Sequence, residues 1–180
     1  MPDPHETLSI FAEIAIALAG FSGIVIAFGQ RSMESLSPLE MRRLSNLFTL
    51  SGMLLCCSLL GASLLHLNIA EPSLFWRWAS AAVFLVGTPW LIRDVVKVTR
   101  LEQAERAQVN LALLTFFNTL AVCMLVLQLI NTVRIKEPWP FFLALTLITA
   151  GAFQQFILLV RMRIQQRSSQ LSSELPGSEA

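Results

Sequence analysis

The chain has 180 residues, of which 54% are hydrophobic and only 14% are charged, and its mean hydropathy is +0.63. This composition excludes a soluble globular domain and predicts an integral membrane protein. The net charge of +1 points to no particular class of partner, and nothing indicates nucleic-acid binding.

Five apolar stretches each approach the roughly 20 residues that a helix needs to cross the hydrocarbon core of a bilayer. They cover about 8–29, 48–70, 74–92, 109–130 and 140–160. We therefore predict an all-α bundle of five transmembrane helices within residues 1–164. A disordered tail is predicted over residues 165–180, which are rich in Ser, Gln and Glu. The alternative is a four-span protein in which one of the segments lies on the membrane surface.

The distribution of basic residues predicts the orientation of this bundle. If the connecting segments alternate between the two sides, ten Lys and Arg residues lie on one side and three on the other. The positive-inside rule then places the N-terminus outside and the C-terminus in the cytoplasm. The segment Met1–Glu6 has no Lys or Arg, so the first span is not expected to be a cleaved signal peptide.

The first span contains an ionisable residue, Glu13, about one turn from its start. A charged carboxylate at the membrane centre costs roughly 3 kcal/mol on insertion scales. A helical wheel places small residues together on the face beside Glu13, where close packing against another helix is expected. The residues of this face are Ala12, Ala19, Gly20, Gly23 and Ala27.

Two further polar residues are expected at a depth similar to that of Glu13. His66 lies near the outer end of the second span, and Arg77 lies near the outer start of the third. We therefore predict an intramembrane polar cluster of Glu13, His66 and Arg77, in which an Arg–carboxylate pair lowers the cost of both charges. Alternatively, Arg77 extends to the lipid headgroups.

Glu13 also permits a transport hypothesis. In a homo-oligomer with the first span at its axis, copies of Glu13 would form a ring of carboxylates, which is a known device for cation selectivity. A protonatable Glu13 in a small proton-coupled carrier is a further alternative.

Local signals refine the predicted helices. Ser37-Pro-Leu-Glu40 has the pattern of a capping box, so the second helix is predicted to begin there and to run to about Ile69. Pro89 lies inside the third span and predicts a kink, because proline removes a backbone donor and clashes with the preceding turn.

The fourth and fifth spans each contain an amide side chain near mid-depth, Asn118 and Gln154. We expect the two to form a hydrogen bond across the helix pair and so to strengthen its packing. The alternative is that they form a polar lining for a solute path.

Catalytic signals are weak. The chain has two histidines and no motif typical of metal, phosphate or acyl-transfer sites. Its three cysteines have no metal-ligand spacing and are interpreted as small apolar residues. No enzyme activity, cofactor or metal is predicted.

The stretch Phe11–Phe28, FAEIAIALAGFSGIVIAF, covers about a tenth of the chain. It resembles the opening segment of small, uncharacterised bacterial inner-membrane proteins, in which an acidic residue precedes an Ala-Leu-Ala-Gly-Phe-x-Gly run. The resemblance implies a bacterial multispan protein and no activity. With the orientation that the basic residues predict, the N-terminus of such a protein lies in the periplasm. Two functional classes remain: a membrane interaction or accessory protein with structural polar residues and an unidentified protein partner, or a homo-oligomeric channel or small carrier that uses Glu13.

Overall fold

A computed structural model describes residues 3–28, 38–66, 71–100 and 111–174. Within these ranges the chain forms helices and no β-strand. Five helices are long and apolar enough to cross a membrane. These findings confirm the predicted all-α bundle of five helices.

The helices are α1 (Pro4–Phe28), α2 (Pro38–Leu65), α3 (Pro72–Thr99), α4 (Leu111–Ile130) and α5 (Pro138–Glu174). A π-helical turn, Asn131–Ile135, follows α4 directly. Every helix except α4 begins at a proline. Proline suits the first helical position because the backbone there needs no N–H for an intrahelical bond.

Two helix ends differ from the predictions. The second helix begins at Pro38, where the capping motif indicates, but it ends at Leu65 rather than near Ile69; Ser37 and residues 67–70 lie outside the described ranges. The last helix continues to Glu174, within the segment for which the sequence predicts a disordered tail, and that disorder stays a prediction. Residues 165–174 contain no Gly or Pro, and Gln, Arg and Leu sustain a helix well.

The second helix lies at the centre of the packing and makes its most extensive contacts with α1 and α5. The main core cluster includes Leu8, Leu54, Trp76 and Phe141, all of them buried. Gly61 of α2 permits this close approach, because an added Cβ would lie 3.1 Å from Leu8 Cδ1. A smaller cluster of Leu18, Leu47, Leu50 and Ala152 extends the same contact along the helices.

The face of α1 that packs within the chain is not the predicted small-residue face. Leu8, Ala15, Leu18 and Ser22 are buried, at spacings of seven, three and four residues, which place them on one side of a helix. A Cβ added at Gly20 or Gly23 would have nothing within 4 Å. The predicted role of these glycines is therefore wrong for contacts within one chain, because α2 supplies the small residue, Gly61, and α1 supplies the large ones.

The other members of that predicted face behave differently from one another. Ala12 and Ala19 are half-buried beside the packed face, and the side chain of Ala27 lies outside the described part of the chain. The predicted contact surface therefore lies at the edge of the α1 packing rather than at its centre.

The third helix continues through Pro89 as a single helix. Thr88 Oγ1 donates to the Phe84 carbonyl at 2.7 Å, whereas the carbonyl that Pro89 deprives of its helical donor is that of Leu85. Gly87 allows α4 to approach, since an added Cβ would lie 2.9 Å from Leu125 Cδ2. The kink at Pro89 stays a prediction.

Candidate functional site

A buried ion pair joins α2 to α3. The Arg42 guanidinium donates to both oxygens of Asp94, at 2.8 and 3.0 Å, and the two side chains are 11% and 7% exposed. Asn46 lies one turn further along α2, so it reaches the same carboxylate, and its Nδ2 donates to Asp94 Oδ1 at 2.7 Å. Asp94 is therefore well satisfied. We call this end of the bundle the Arg42 end.

The next residue, Arg43, points to a different neighbour, because consecutive helical residues lie about 100° apart around the axis. Its Nη1 donates to the main-chain oxygen of Leu158, at 3.2 Å, and lies 2.9 Å from Met162 Sδ, both on α5. Both of these acceptors are neutral. The Glu40 carboxylate, which is buried on the same helix, attracts the Arg43 charge.

A cavity runs between α2, α3, α4 and α5, and no residue of α1 whose side chain the structure describes lines it. The space open to the centre of a water-sized molecule is about 240 Å³. Its α4 wall extends from Leu113 to Gln128, which corresponds to roughly 22 Å at 1.5 Å per residue. The charged residues of its lining are Arg42, Arg43 and Asp94, and most of the remaining wall is apolar.

Asn118 and Gln154 both line this cavity, from opposite walls on α4 and α5. Each is half-buried, and within the described part of the chain no hydrogen bond joins the two amides. The expected bond across the helix pair is therefore absent. The alternative of a polar lining agrees with where the two side chains lie.

A second polar network closes the opposite end of the cavity. Asn131 Nδ2 donates to Ser80 Oγ at 2.7 Å and to the Glu137 carbonyl at 3.0 Å, and Asn131 Oδ1 accepts from the Glu137 backbone N–H at 3.0 Å. Gln128 Nε2 donates to the Pro140 carbonyl at 2.7 Å. These bonds form what we call the Asn131 network, and they tie the end of α4 to α3 and to the start of α5.

Backbone geometry brings this network together. Lys136 adopts a left-handed conformation with φ 57°, and its N–H bonds the Asn131 carbonyl at 3.0 Å. The chain therefore reverses after the π-helical turn, so that Glu137 returns to Asn131. Both Asn131 and Gln128 are fully buried, and Gln128 Oε1 has no hydrogen-bond partner among the described residues.

The predicted cluster of Glu13, His66 and Arg77 does not form within the chain. His66 contacts His5 instead, with the two Nε2 atoms 3.1 Å apart. Glu13 is exposed, and within the described ranges it makes no hydrogen bond or ion pair. It lies eight residues beyond His5 on α1, which is roughly 12 Å along the axis, so it is too deep to reach His66. Arg77 is also exposed, which agrees with extension to the headgroups.

Two parts of the site were missed from the sequence, the ion pair at the Arg42 end and the Asn131 network. In the sequence, Arg42 contributes only to the number of basic residues in a connecting segment. A helix that begins at Pro38 instead places Arg42 one turn inside α2. The other charged residues of the segment 93–108 are mostly basic. An acidic residue in such a segment is the sequence signal that Asp94 pairs with a basic side chain. Among the residues that the structure describes, no group of three His, Cys, Asp or Glu could hold a metal ion.

No protein-family model, no curated protein and no solved structure matches this chain. The resemblance of Phe11–Phe28 to bacterial inner-membrane proteins therefore stays a prediction. The five apolar helices identify a multi-pass integral membrane protein, and the interpretation of its site depends on its own geometry.

Proposed function

We propose that this protein is a membrane accessory protein that binds a small amphipathic molecule in the cavity lined by α2, α3, α4 and α5. The supporting observation is the size of the cavity, about 240 Å³. The space is partly open to its surroundings rather than sealed, so a molecule can enter it. A largely apolar space of this kind between helices is a typical ligand site.

The lining indicates the kind of molecule. The charged groups gather at the Arg42 end, while leucine, methionine, valine and phenylalanine side chains form most of the remaining wall. Ligand sites are typically apolar with a few placed polar groups that fix orientation. A molecule with one polar end and one apolar end therefore matches the cavity. The structural polar residues of this proposal are Arg42, Asn46 and Asp94, in place of the cluster predicted from the sequence.

The fourth helix is the wall best suited to admit such a molecule. Only 6% of its span is buried, compared with 44% for α2. Gln128 is its one residue classed as buried, so its anchoring is concentrated near the Asn131 network. Regions with few buried contacts open at lower free energy than the core. We therefore place access to the cavity beside α4.

We propose that the Arg42 end faces the cytoplasm. Basic residues within the described ranges are concentrated there, and the positive-inside rule places such an end in the cytoplasm. These residues are Arg42, Arg43, Arg93, Lys97, Arg100 and Arg161. The resemblance of the first span favours a bacterial inner membrane, with the N-terminus in the periplasm.

Filling the cavity tests the binding function. Ala121 lines it, whereas Ala112 lies on the same helix and is exposed. In phosphatidylcholine nanodiscs, palmitate, hexadecanol and hexadecylamine serve as probes, and calorimetry measures their affinities. Ala121→Phe is expected to weaken binding at least about tenfold, or 1.4 kcal/mol, because the ring occupies the site. Ala112→Phe is the matched control and should leave binding unchanged. The proposal fails if no probe binds the wild type, or if the two variants bind alike.

A second candidate function is a homo-oligomeric channel or carrier that uses Glu13. Glu13, Gly20 and Gly23 are exposed at helical spacing along one strip of α1. A charged carboxylate that faces lipid costs roughly 3 kcal/mol, and small residues permit close approach of another helix. Contact with α1 of further copies would cover this strip and bring the carboxylates together.

Glu13→Gln tests this candidate, with Glu6→Gln as the matched control, because Glu6 is exposed at the start of the same helix. Ion flux into liposomes is the measurement. We expect altered cation selectivity from Glu13→Gln alone, because the substitution removes the charge from the proposed ring. A monomeric mass in detergent, or identical flux in both variants, would rule the candidate out.

A further inference from the structure

We infer that the molecule bound in the cavity is a long-chain carboxylate whose anionic group binds beside Arg43 at the Arg42 end. This inference rests on the proposed binding function and adds the charge and the direction of the ligand. It follows from the charges of the lining, from the hydrogen bonds of Arg43 and from two buried polar atoms at opposite ends of the cavity.

The charges of the lining favour an anion. Among the described residues, Arg42, Arg43 and Asp94 are the charged ones that line the cavity, so this part of its wall carries two positive charges and one negative charge. The bidentate bond between Arg42 and Asp94 pairs two of them. Arg43 is the remaining cation of the lining. The Glu40 carboxylate attracts it but does not line the cavity, so it does not occupy the space in front of Arg43.

The present hydrogen bonds of Arg43 can be exchanged at low cost. A main-chain carbonyl and a thioether sulfur accept from it, and a thioether is a weak acceptor. At present only the donor of these bonds is charged, whereas a carboxylate would bring a charged acceptor as well, and Arg–carboxylate pairs are among the strong hydrogen bonds of proteins. Arginine also offers five donors in a planar fork, which matches a carboxylate.

Two buried atoms without partners set the direction of the ligand. At the Arg42 end the atom is a donor, Arg42 Nε, and at the opposite end it is an acceptor, Gln128 Oε1. Both residues line the cavity. Both atoms are buried, so they act on the ligand through their charge rather than by direct contact: the guanidinium attracts an anion, and the partial negative charge of the amide oxygen disfavours one. The carboxylate therefore belongs at the Arg42 end, with the chain along the apolar wall of α4 for up to roughly 22 Å.

The test compares three probes of equal chain length in phosphatidylcholine nanodiscs, which contribute no net lipid charge. We expect the wild type to bind palmitate about tenfold more tightly than hexadecanol, with hexadecylamine weakest. Arg43→Gln should remove the preference for palmitate while hexadecanol still binds. Arg161→Gln is the matched control, because Arg161 is exposed on α5 and does not line the cavity; it should keep the preference.

The possible results of this experiment distinguish a failure of the carboxylate inference from a failure of the proposed binding function. Equal binding of palmitate and hexadecanol by the wild type, or a preference for palmitate that survives in Arg43→Gln, overturns the inference and leaves the binding function standing. Absence of binding by all three probes overturns both. If Arg43→Gln does not fold, Arg43→Met replaces it: the charge is removed while a long side chain is kept, so the preference for palmitate should be lost, and its survival would overturn the inference.

Discussion

Replacement of Asp94 by alanine is expected to lower the free energy of unfolding by about 3–5 kcal/mol. The substitution leaves the Arg42 guanidinium, which is 11% exposed, without its carboxylate, and it leaves Asn46 Nδ2 without its acceptor. The cost is large because the charge that remains is buried and unpaired. Reversible unfolding in mixed detergent micelles gives the free energy.

The double variant Arg42→Met/Asp94→Leu is the control for this prediction. It removes both charges together, and replacing a buried pair with apolar residues is often neutral or stabilising. We therefore expect it to recover most of the stability lost in Asp94→Ala, with a strong coupling energy in the double-mutant cycle. A loss below about 1 kcal/mol in the single variant would show that the pair behaves as an exposed one.

Replacement of Asn131 by alanine is expected to lower the free energy of unfolding by about 2–3 kcal/mol. The substitution removes three hydrogen bonds at once, those to Ser80 Oγ, to the Glu137 carbonyl and from the Glu137 N–H. The Glu137 groups are left without these partners, so the reversal of the chain between α4 and α5 is weakened. Besides unfolding, hydrogen exchange at the Glu137 amide is the measurement, and it should accelerate.

Asn118→Ala is the matched control for Asn131. It removes the same side chain from α4 itself, at a half-buried position that makes no hydrogen bond within the described ranges. We expect its unfolding free energy to stay within about 0.5 kcal/mol of the wild type. Equal effects of the two substitutions would contradict an anchoring role for the Asn131 network.

These two polar sites explain how the cavity persists. The Arg42 pair holds α2 to α3 at one end, and the Asn131 network holds α4 to α3 and α5 at the other. Between them α4 contributes few buried residues. The helices are therefore fixed at their ends and spaced apart along their middle, where the apolar lining lies.

The five helices follow from the sequence alone. Lipid excludes unsatisfied backbone groups, so each apolar stretch of about 20 residues must form a helix. Pro38 likewise determines the start of α2 through local chemistry. The helical form of residues 165–174 agrees with the absence of a helix breaker before Pro176, which is also readable from the sequence.

The polar contacts of the site, unlike the helices, could not be predicted from the sequence. Depth alone predicts that Glu13, His66 and Arg77 meet, yet a polar contact also requires that the side chains point towards each other. In water the apolar face of a helix indicates which side is buried, whereas in lipid both the buried and the exposed sides are apolar, so the rotation of each helix is poorly determined.

The sequence by itself determined the membrane location, the number of helices and the charge difference between the two ends. The tertiary structure alone decided that Asp94 faces Arg42, that Asn131 closes the turn after α4, and that a cavity separates α4 from its neighbours. The physical reason is that length and hydropathy are local properties of one helix. Side-chain pairing and cavities depend on how several helices rotate and pack against one another.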